Sequence, residues 1–245
     1  NWYAYCAEEC AAVRTNVAMF DQSSFGKFVL EGADAESVLN QICANDVSVP
    51  VGKLVYTQWL NERGGIEADV TITREALDRY LIVTAAATQV RDFAWLKDHI
   101  PAGARAVAVD VTSGQATLSM MGPNSRALLQ GLTHADLSNE AFPFGTSREI
   151  DLGYARVRAS RVSYVGELGF ELYIPTECAQ DVFDVIVDAG PAFGLKLAGY
   201  HALNSLRLEK AYRHWGHDIS PDENPIEAGL SFCVAWDKPG GFIGR

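Results

Sequence analysis

Arg161-Val162-Ser163-Tyr164-Val165-Gly166-Glu167-Leu168-Gly169-Phe170-Glu171-Leu172-Tyr173-Ile174-Pro175 reads as strand, turn and strand. Residues alternate before Tyr164, glycines at 166 and 169 break the run, and an apolar segment stops at Pro175. Two carboxylates, Glu167 and Glu171, sit four residues apart in this turn, flanked by aromatic residues. A solvated hairpin has no need of a glutamate between Phe170 and Leu172. At the end of a buried strand that carboxylate must find hydrogen-bond donors or carry a large desolvation cost. A ligand with paired N–H groups would supply them, and so would an arginine such as Arg161.

The same strand-and-turn pattern extends upstream. Residues 54–60 predict a strand, Asn61-Glu62-Arg63-Gly64-Gly65 a hairpin turn, and 66–73 a returning strand. In that strand Ile66, Ala68, Val70 and Ile72 share an apolar face, which puts Glu67, Asp69, Thr71 and Thr73 on a polar one. Asp69 is therefore open to a solvated reading. Further strands are expected at 27–31, 80–84, 106–111, 116–120 and 230–236, and in pairs over 149–164. Helical spacing marks 3–18, 35–44 behind an Asp34 N-cap, 88–99, a short helix with Pro123 in its first turn, 177–189 and 201–213. Strands outnumber strand–helix–strand crossovers and hairpins are frequent, so the fold class is α+β, with antiparallel sheets flanked by helices.

Composition narrows the function. Of 245 residues, 48% are hydrophobic and 21% charged, as expected of a globular enzyme with a substantial core. A formal net charge of −11, without any basic block, argues against nucleic acid or an anionic membrane as partner. No apolar run reaches the about 18 residues that span a bilayer. Five cysteines do not make a disulfide framework; Cys6 and Cys10 share a helix face and the others are isolated, which points to structural thiols and a reducing compartment. No G-x-G-x-x-G follows a predicted strand, so no flavin- or nicotinamide-binding Rossmann unit is expected here. His214-Trp215-Gly216-His217 lacks a third ligand nearby, so no metal site is expected and these rings are read as packed in or lining a cleft.

Tyr164-Val165-Gly166-Glu167-Leu168-Gly169-Phe170-Glu171 resembles the Tyr-x-Gly-Glu-x-Gly-x-Glu signature of the folate-binding aminomethyltransferase family. That family includes the glycine-cleavage T-protein and the C-terminal half of sarcosine and dimethylglycine dehydrogenases. Val165 and Leu168 make the motif more similar to the dehydrogenase branch. Gly64-Gly65-Ile66-x-x-Asp69 resembles a second family motif, and Phe20-Asp21-Gln22-Ser23 resembles the entry strand, although it also fits a polar turn. The helix from Gly199 to Lys210 resembles a third segment but departs at Leu203, where T-proteins place an arginine near the folate. The resemblance runs from about Val13 to Arg245.

Several expectations follow from the resemblance. It implies two interleaved subdomains, residues 1–52 plus 116–220 and residues 53–115 plus 221–245. Glu171 is the implied pterin-binding carboxylate, since a pterin presents a ring N–H and an amino group side by side. Asp69 is the implied catalytic acid, stabilising a cationic intermediate or relaying a proton. Tyr56 is implied near the folate and Tyr164 near the reacting group, and either hydroxyl is equally consistent with a core residue. The implied function is capture of an oxidised methyl group as 5,10-methylenetetrahydrofolate. The parent would be an FAD-dependent sarcosine or dimethylglycine dehydrogenase-like protein, with tetrahydrofolate bound here and FAD in a covalently linked upstream domain. A small N-methyl amine is the expected substrate, and the expected location is cytoplasmic, or the mitochondrial matrix in a eukaryote. The alternatives are a free-standing aminomethyltransferase, a folate-dependent demethylase, or a non-catalytic regulatory module.

Overall fold

The computed structural model describes residues 1–245. In chain order the elements are α1 (Tyr3–Thr15), β1 (Val17–Asp21), β2 (Gly26–Glu31), α2 (Ala35–Ile42), β3 (Leu54–Leu60), β4 (Ile66–Ala76), β5 (Arg79–Thr84), α3 (Gln89–Asp98) and β6 (Val107–Asp110). There follow β7 (Gln115–Met121), α4 (Ser125–Gln130), β8 (Ser147–Leu152), β9 (Ala155–Ser160), β10 (Gly169–Pro175), α5 (Ala179–Ala189), β11 (Leu195–Ala198) and α6 (Tyr200–Glu209). No helix is long and apolar enough to cross a membrane.

The chain forms two compact units: residues 1–24 with 113–212, and residues 25–112 with 213–245. The expected break at 52/53 falls instead at 24/25. Strand β2 is the cause, because it hydrogen-bonds β5 on one side and β6 on the other, which ties residues 25–52 to the segment that follows.

In the first unit six strands run in the order β11-β1-β7-β10-β9-β8, antiparallel except for the β1–β11 pair. Alternation along the strands separates the faces. Leu118 and Met120 of β7 and Phe170, Leu172 and Ile174 of β10 enter one core with α4 and α5. Ser119 and Thr117 of β7 and Glu171 and Tyr173 of β10 take the opposite face. A second cluster joins α1 and α6 to β1 and Met121, and it contains Leu203. The residue that stands where T-proteins carry an arginine is thus 5% exposed and fills a core.

In the second unit five strands run in the order β3-β4-β5-β2-β6, all antiparallel. Helices α2 and α3 cover one face, with Trp59, Tyr80 and Ile82 in the core. Residues of the C-terminal segment, among them Ile219, Leu230, Val234 and Phe242, pack with Leu60 and Ile66. The apolar face read from β4 is the buried one.

Several local expectations are corrected. Helix α1 ends at Thr15, and Val17–Asp21 is a strand between β11 and β7 that takes in Phe20 and Asp21 of the entry segment, with Gln22 and Ser23 beyond its end. Pro123 precedes its helix, which starts at Ser125. Residues 230–236 form no strand; Ser231–Cys233 is a single 3-10 turn. Leu230, Cys233 and Val234 are buried one by one rather than through a ladder, while Phe232 and Trp236 are exposed, so alternation alone misread the segment. Asp34 does not cap α2 with its side chain. Its carboxylate accepts instead from the backbone and guanidinium of Arg105, which holds its pKa down to about 2.

Candidate functional site

Each unit carries one buried-strand carboxylate. In the first unit, the motif's two glycines shape the approach to Glu171. Gly166 has φ +75°, and its missing side chain leaves room for the Lys210 stem. At Gly169 an added Cβ would lie 2.3 Å from Met121 Sδ and 2.6 Å from the Val162 carbonyl, so only glycine lets β10 start here against β7. The preceding loop is fastened by Glu167, whose Oε1 pairs with Arg14 at 3.1 Å; Arg14 also reaches the Val165 carbonyl and Glu209. Glu167 is therefore an anchor. Glu171 is not in the turn at all but third in β10.

Glu171 stands opposite Ser119 of β7 and Ser160 of β9, both fully buried. Its partner is the Tyr173 hydroxyl, which donates to Oε2 at 2.7 Å. The arginine alternative fails: Arg161 donates to the Phe142 carbonyl at 2.7 Å. Burial pushes the Glu171 carboxyl above its ordinary value, and the Tyr173 bond offsets only part of that. Burial likewise pushes the Tyr173 phenol well up, helped by the neighbouring carboxylate. Around them lies unused hydrogen-bonding capacity. The Ser119 hydroxyl donates to Gln22 Oε1, while Gln22 Nε2 and Thr117 Oγ1 are buried with no partner. Buried polar groups without partners are uncommon and call for an explanation.

In the second unit Asp69 faces Gln58 across the β3–β4 pair, and Gln58 Nε2 donates to Asp69 Oδ1 at 2.9 Å. Asp69 is half-buried and held by Gln58, so it is not the freely solvated carboxylate that alternation alone allowed. Burial raises its carboxyl to about 6, against hydrogen bonds from Gln58 and Tyr56 that lower it. Tyr56 and Asp69 are thus brought together, as are a pair that sequence did not single out: Phe232, whose ring centroid lies 6.4 Å from that of Tyr56, and Cys233. Tyr164, by contrast, belongs to the first unit with Glu171; it lies in the loop before β10, its ring stacked on Tyr212 at 6.1 Å.

Other candidate chemistry resolves into structure. The five cysteines are free, and burial raises Cys43 and Cys233 to about 12. No group of three His, Cys, Asp or Glu residues is placed to hold a metal ion. The rings of His214 and His217 pack at 4.3 Å, and between them Trp215 donates to the Ile66 carbonyl at 2.8 Å beneath the Arg91 guanidinium. Arg207 holds Asn204 and the Tyr212 carbonyl, and Glu209 holds Arg14.

Comparison with known proteins agrees with this architecture. The family described as the GCVT N-terminal domain matches residues 1–238. The chain is 47% identical over its whole length to the 4-methylaminobutanoate oxidase (formaldehyde-forming) of Paenarthrobacter nicotinovorans, of which it covers 30%. It is 40% identical to human mitochondrial sarcosine dehydrogenase over 97% of the chain, covering 28% of that protein. It therefore spans less than a third of the length of either relative. Among solved structures, the glycine cleavage system aminomethyltransferase T of Bartonella henselae superposes with a TM-score of 0.87 at 28% identity, over 98% of this chain and 64% of that one. On these grounds the chain belongs to the aminomethyltransferase family built on the GCVT N-terminal domain, with the fold of the glycine-cleavage T-protein.

Proposed function

We propose that this chain is the tetrahydrofolate-binding, one-carbon-accepting domain of an FAD-dependent N-methyl amine dehydrogenase-like protein. One observation carries the reading. Glu171 is a carboxylate set into the buried face of a sheet, with the Tyr173 hydroxyl as its partner and no cation beside it. It therefore retains acceptor capacity for a ligand that brings two adjacent N–H donors, as a pterin edge does. The unpartnered Gln22 Nε2 is a spare donor in the same cluster, suited to the carbonyl that flanks those N–H groups on the pterin. The fit between residues and ligand is good.

When bound, tetrahydrofolate supplies two amine nitrogens that take up a one-carbon unit. This chain's residues do the rest. Glu171 orients the pterin, Tyr173 holds Glu171, and Asp69, with Tyr56 at hydrogen-bonding distance, accepts or returns a proton. A carboxyl poised at about 6 suits proton exchange near neutral pH. The choice of donor rests on the two relatives, both named for oxidation of an N-methylated amine.

Calorimetry with tetrahydrofolate on the wild-type chain and on Glu171→Gln tests the site. The expected result is binding weakened tenfold or more in the variant, about 1.4 kcal/mol. Absence of binding by the full-length parent protein would sink the proposal. In that parent protein, the amine-dependent product is expected to shift from formaldehyde to 5,10-methylenetetrahydrofolate when folate is added. Asp69→Asn should slow that capture without altering folate affinity.

A further inference from the structure

Gln58 is fully buried, and no family motif singles it out. It is the register partner of Asp69 across β3 and β4, and its Nε2 donates to Asp69 Oδ1 at 2.9 Å. Its own Oε1 is buried with no partner. An amide that leaves its acceptor unsatisfied while its donor side meets Asp69 and the Cys233 thiol is held by what that side touches. Turning the amide over would set its oxygen against the Asp69 oxygen, which repels an ionised carboxylate.

The remaining groups around Asp69 do not neutralise it. From β3 comes the Tyr56 hydroxyl, a second neutral donor. From the 231–233 turn comes the Cys233 thiol, kept in its neutral form by burial and by Asp69 itself. Two positions back on β4, Glu67 is engaged by Asn61, and two positions on, Thr71 carries no charge. Arg91 of α3 is committed to the Glu67 carbonyl, to Asp92 and to the Trp215 ring. The charge on Asp69 is thus stabilised by neutral hydrogen-bond donors and by no ion pair.

We propose that Gln58 is a positioning residue for Asp69: its buried amide pins the carboxylate through Oδ1 and stabilises the ionised form in which Asp69 accepts a proton. The use of that proton in one-carbon capture rests on the function proposed above, but the positioning itself is measured without folate.

The test is a carboxyl-carbon NMR titration of the aspartate-labelled chain, with the Asp69 resonance assigned by its disappearance in Asp69→Asn. Gln58→Met keeps the side-chain shape and deletes the donor. Its Asp69 midpoint is expected to rise by about one unit or more, since the lost bond is made to a charged group. A midpoint that stays in place while the melting temperature falls would mean that Gln58 only fills space, and would overturn the proposal. If Gln58→Met does not fold, Gln58→Glu serves. Two carboxyls sharing one proton titrate as a coupled pair with separated midpoints; two independent, ordinary titrations would equally overturn it. Calorimetry with tetrahydrofolate on the same samples keeps the outcomes apart. Loss of the folate reading leaves the titration result standing, and the reverse holds as well.

Discussion

The Tyr173 hydroxyl reaches Glu171 Oε2 at 2.7 Å from two positions along the same strand, so one short stretch of β10 supplies both the carboxylate and the group that holds it. The bond works against desolvation, which pushes the Glu171 carboxyl up. Tyr173→Phe removes the donor and leaves a carboxylate oxygen buried and unpaired. A hydrogen bond to a charged group contributes about 1.5–3 kcal/mol, so tetrahydrofolate affinity is expected to fall by tenfold or more. Because the loss acts through ionisation of Glu171, it should shrink as pH is raised and the carboxylate re-forms. Calorimetry at two pH values checks this, and a loss independent of pH would place the effect elsewhere.

Gly169 is the next lever on the same strand. A Cβ there would meet Met121 Sδ at 2.3 Å and the Val162 carbonyl at 2.6 Å, and the second of these is backbone, which cannot swing aside. Gly169→Ala must displace the start of β10 from β7, where Gly169 and Met121 are register partners. Overpacking of this kind costs about 1–3 kcal/mol. The expected outcome is a lower urea midpoint with an unchanged slope, together with weakened folate binding because Glu171 moves with its strand. A variant as stable as the wild type would contradict the packing argument.

What the sequence made legible was whatever repeats or alternates. The β3–β4 hairpin, its apolar face and the helices α2, α3 and α5 follow from local period, and the aminomethyltransferase family from two short motifs. The units' boundaries did not follow, because the pairing of β2 with β5 and β6 is long-range and leaves no local signature. The partners of the site carboxylates were hidden for a similar reason. Gln58 became visible only through its cross-strand register with Asp69, and Gln22 and Ser119 only through the β1–β7–β10 order. Tyr173 is the exception: the i, i+2 spacing from Glu171 puts both on one face of any strand, a signal present in the sequence from the start.

Lys238 marks another contact that composition could not reveal. It is 5% exposed, with Nζ donating to the Cys43 carbonyl at 2.5 Å and the Asn45 carbonyl at 2.8 Å, and lying 5.2 Å from the Phe242 ring centroid. Within the second unit it ties the C-terminal segment to the end of α2. Burial pushes its pKa down. Lys238→Met keeps the stem and deletes the donors, leaving two carbonyls without these bonds, a loss of about 2–4 kcal/mol. A melting temperature within a degree or two of the wild type would show that water replaces the ammonium at no cost.

Asp69 gives a prediction whose sign depends on pH. Its folded pKa, about 6, lies above the ordinary 3.8, so the native chain holds the proton more tightly than the unfolded one. The stability associated with that proton is fully present below about pH 4 and is lost as pH rises through about 6. Ionised Asp69 is therefore a net cost to folding at neutral and alkaline pH, on the order of 1–3 kcal/mol after allowing for its partial exposure. Asn in its place cannot ionise and still offers Gln58 an acceptor oxygen. Asp69→Asn should match the wild type in urea melts near pH 4 and exceed it near pH 8, while one-carbon capture by the full-length protein falls. An equal difference at both pH values would mean that the substitution acts through packing and that burial does not disfavour the ionised Asp69 carboxylate. Greater stability bought with lost turnover is the trade expected where a charge is buried for chemistry rather than for folding.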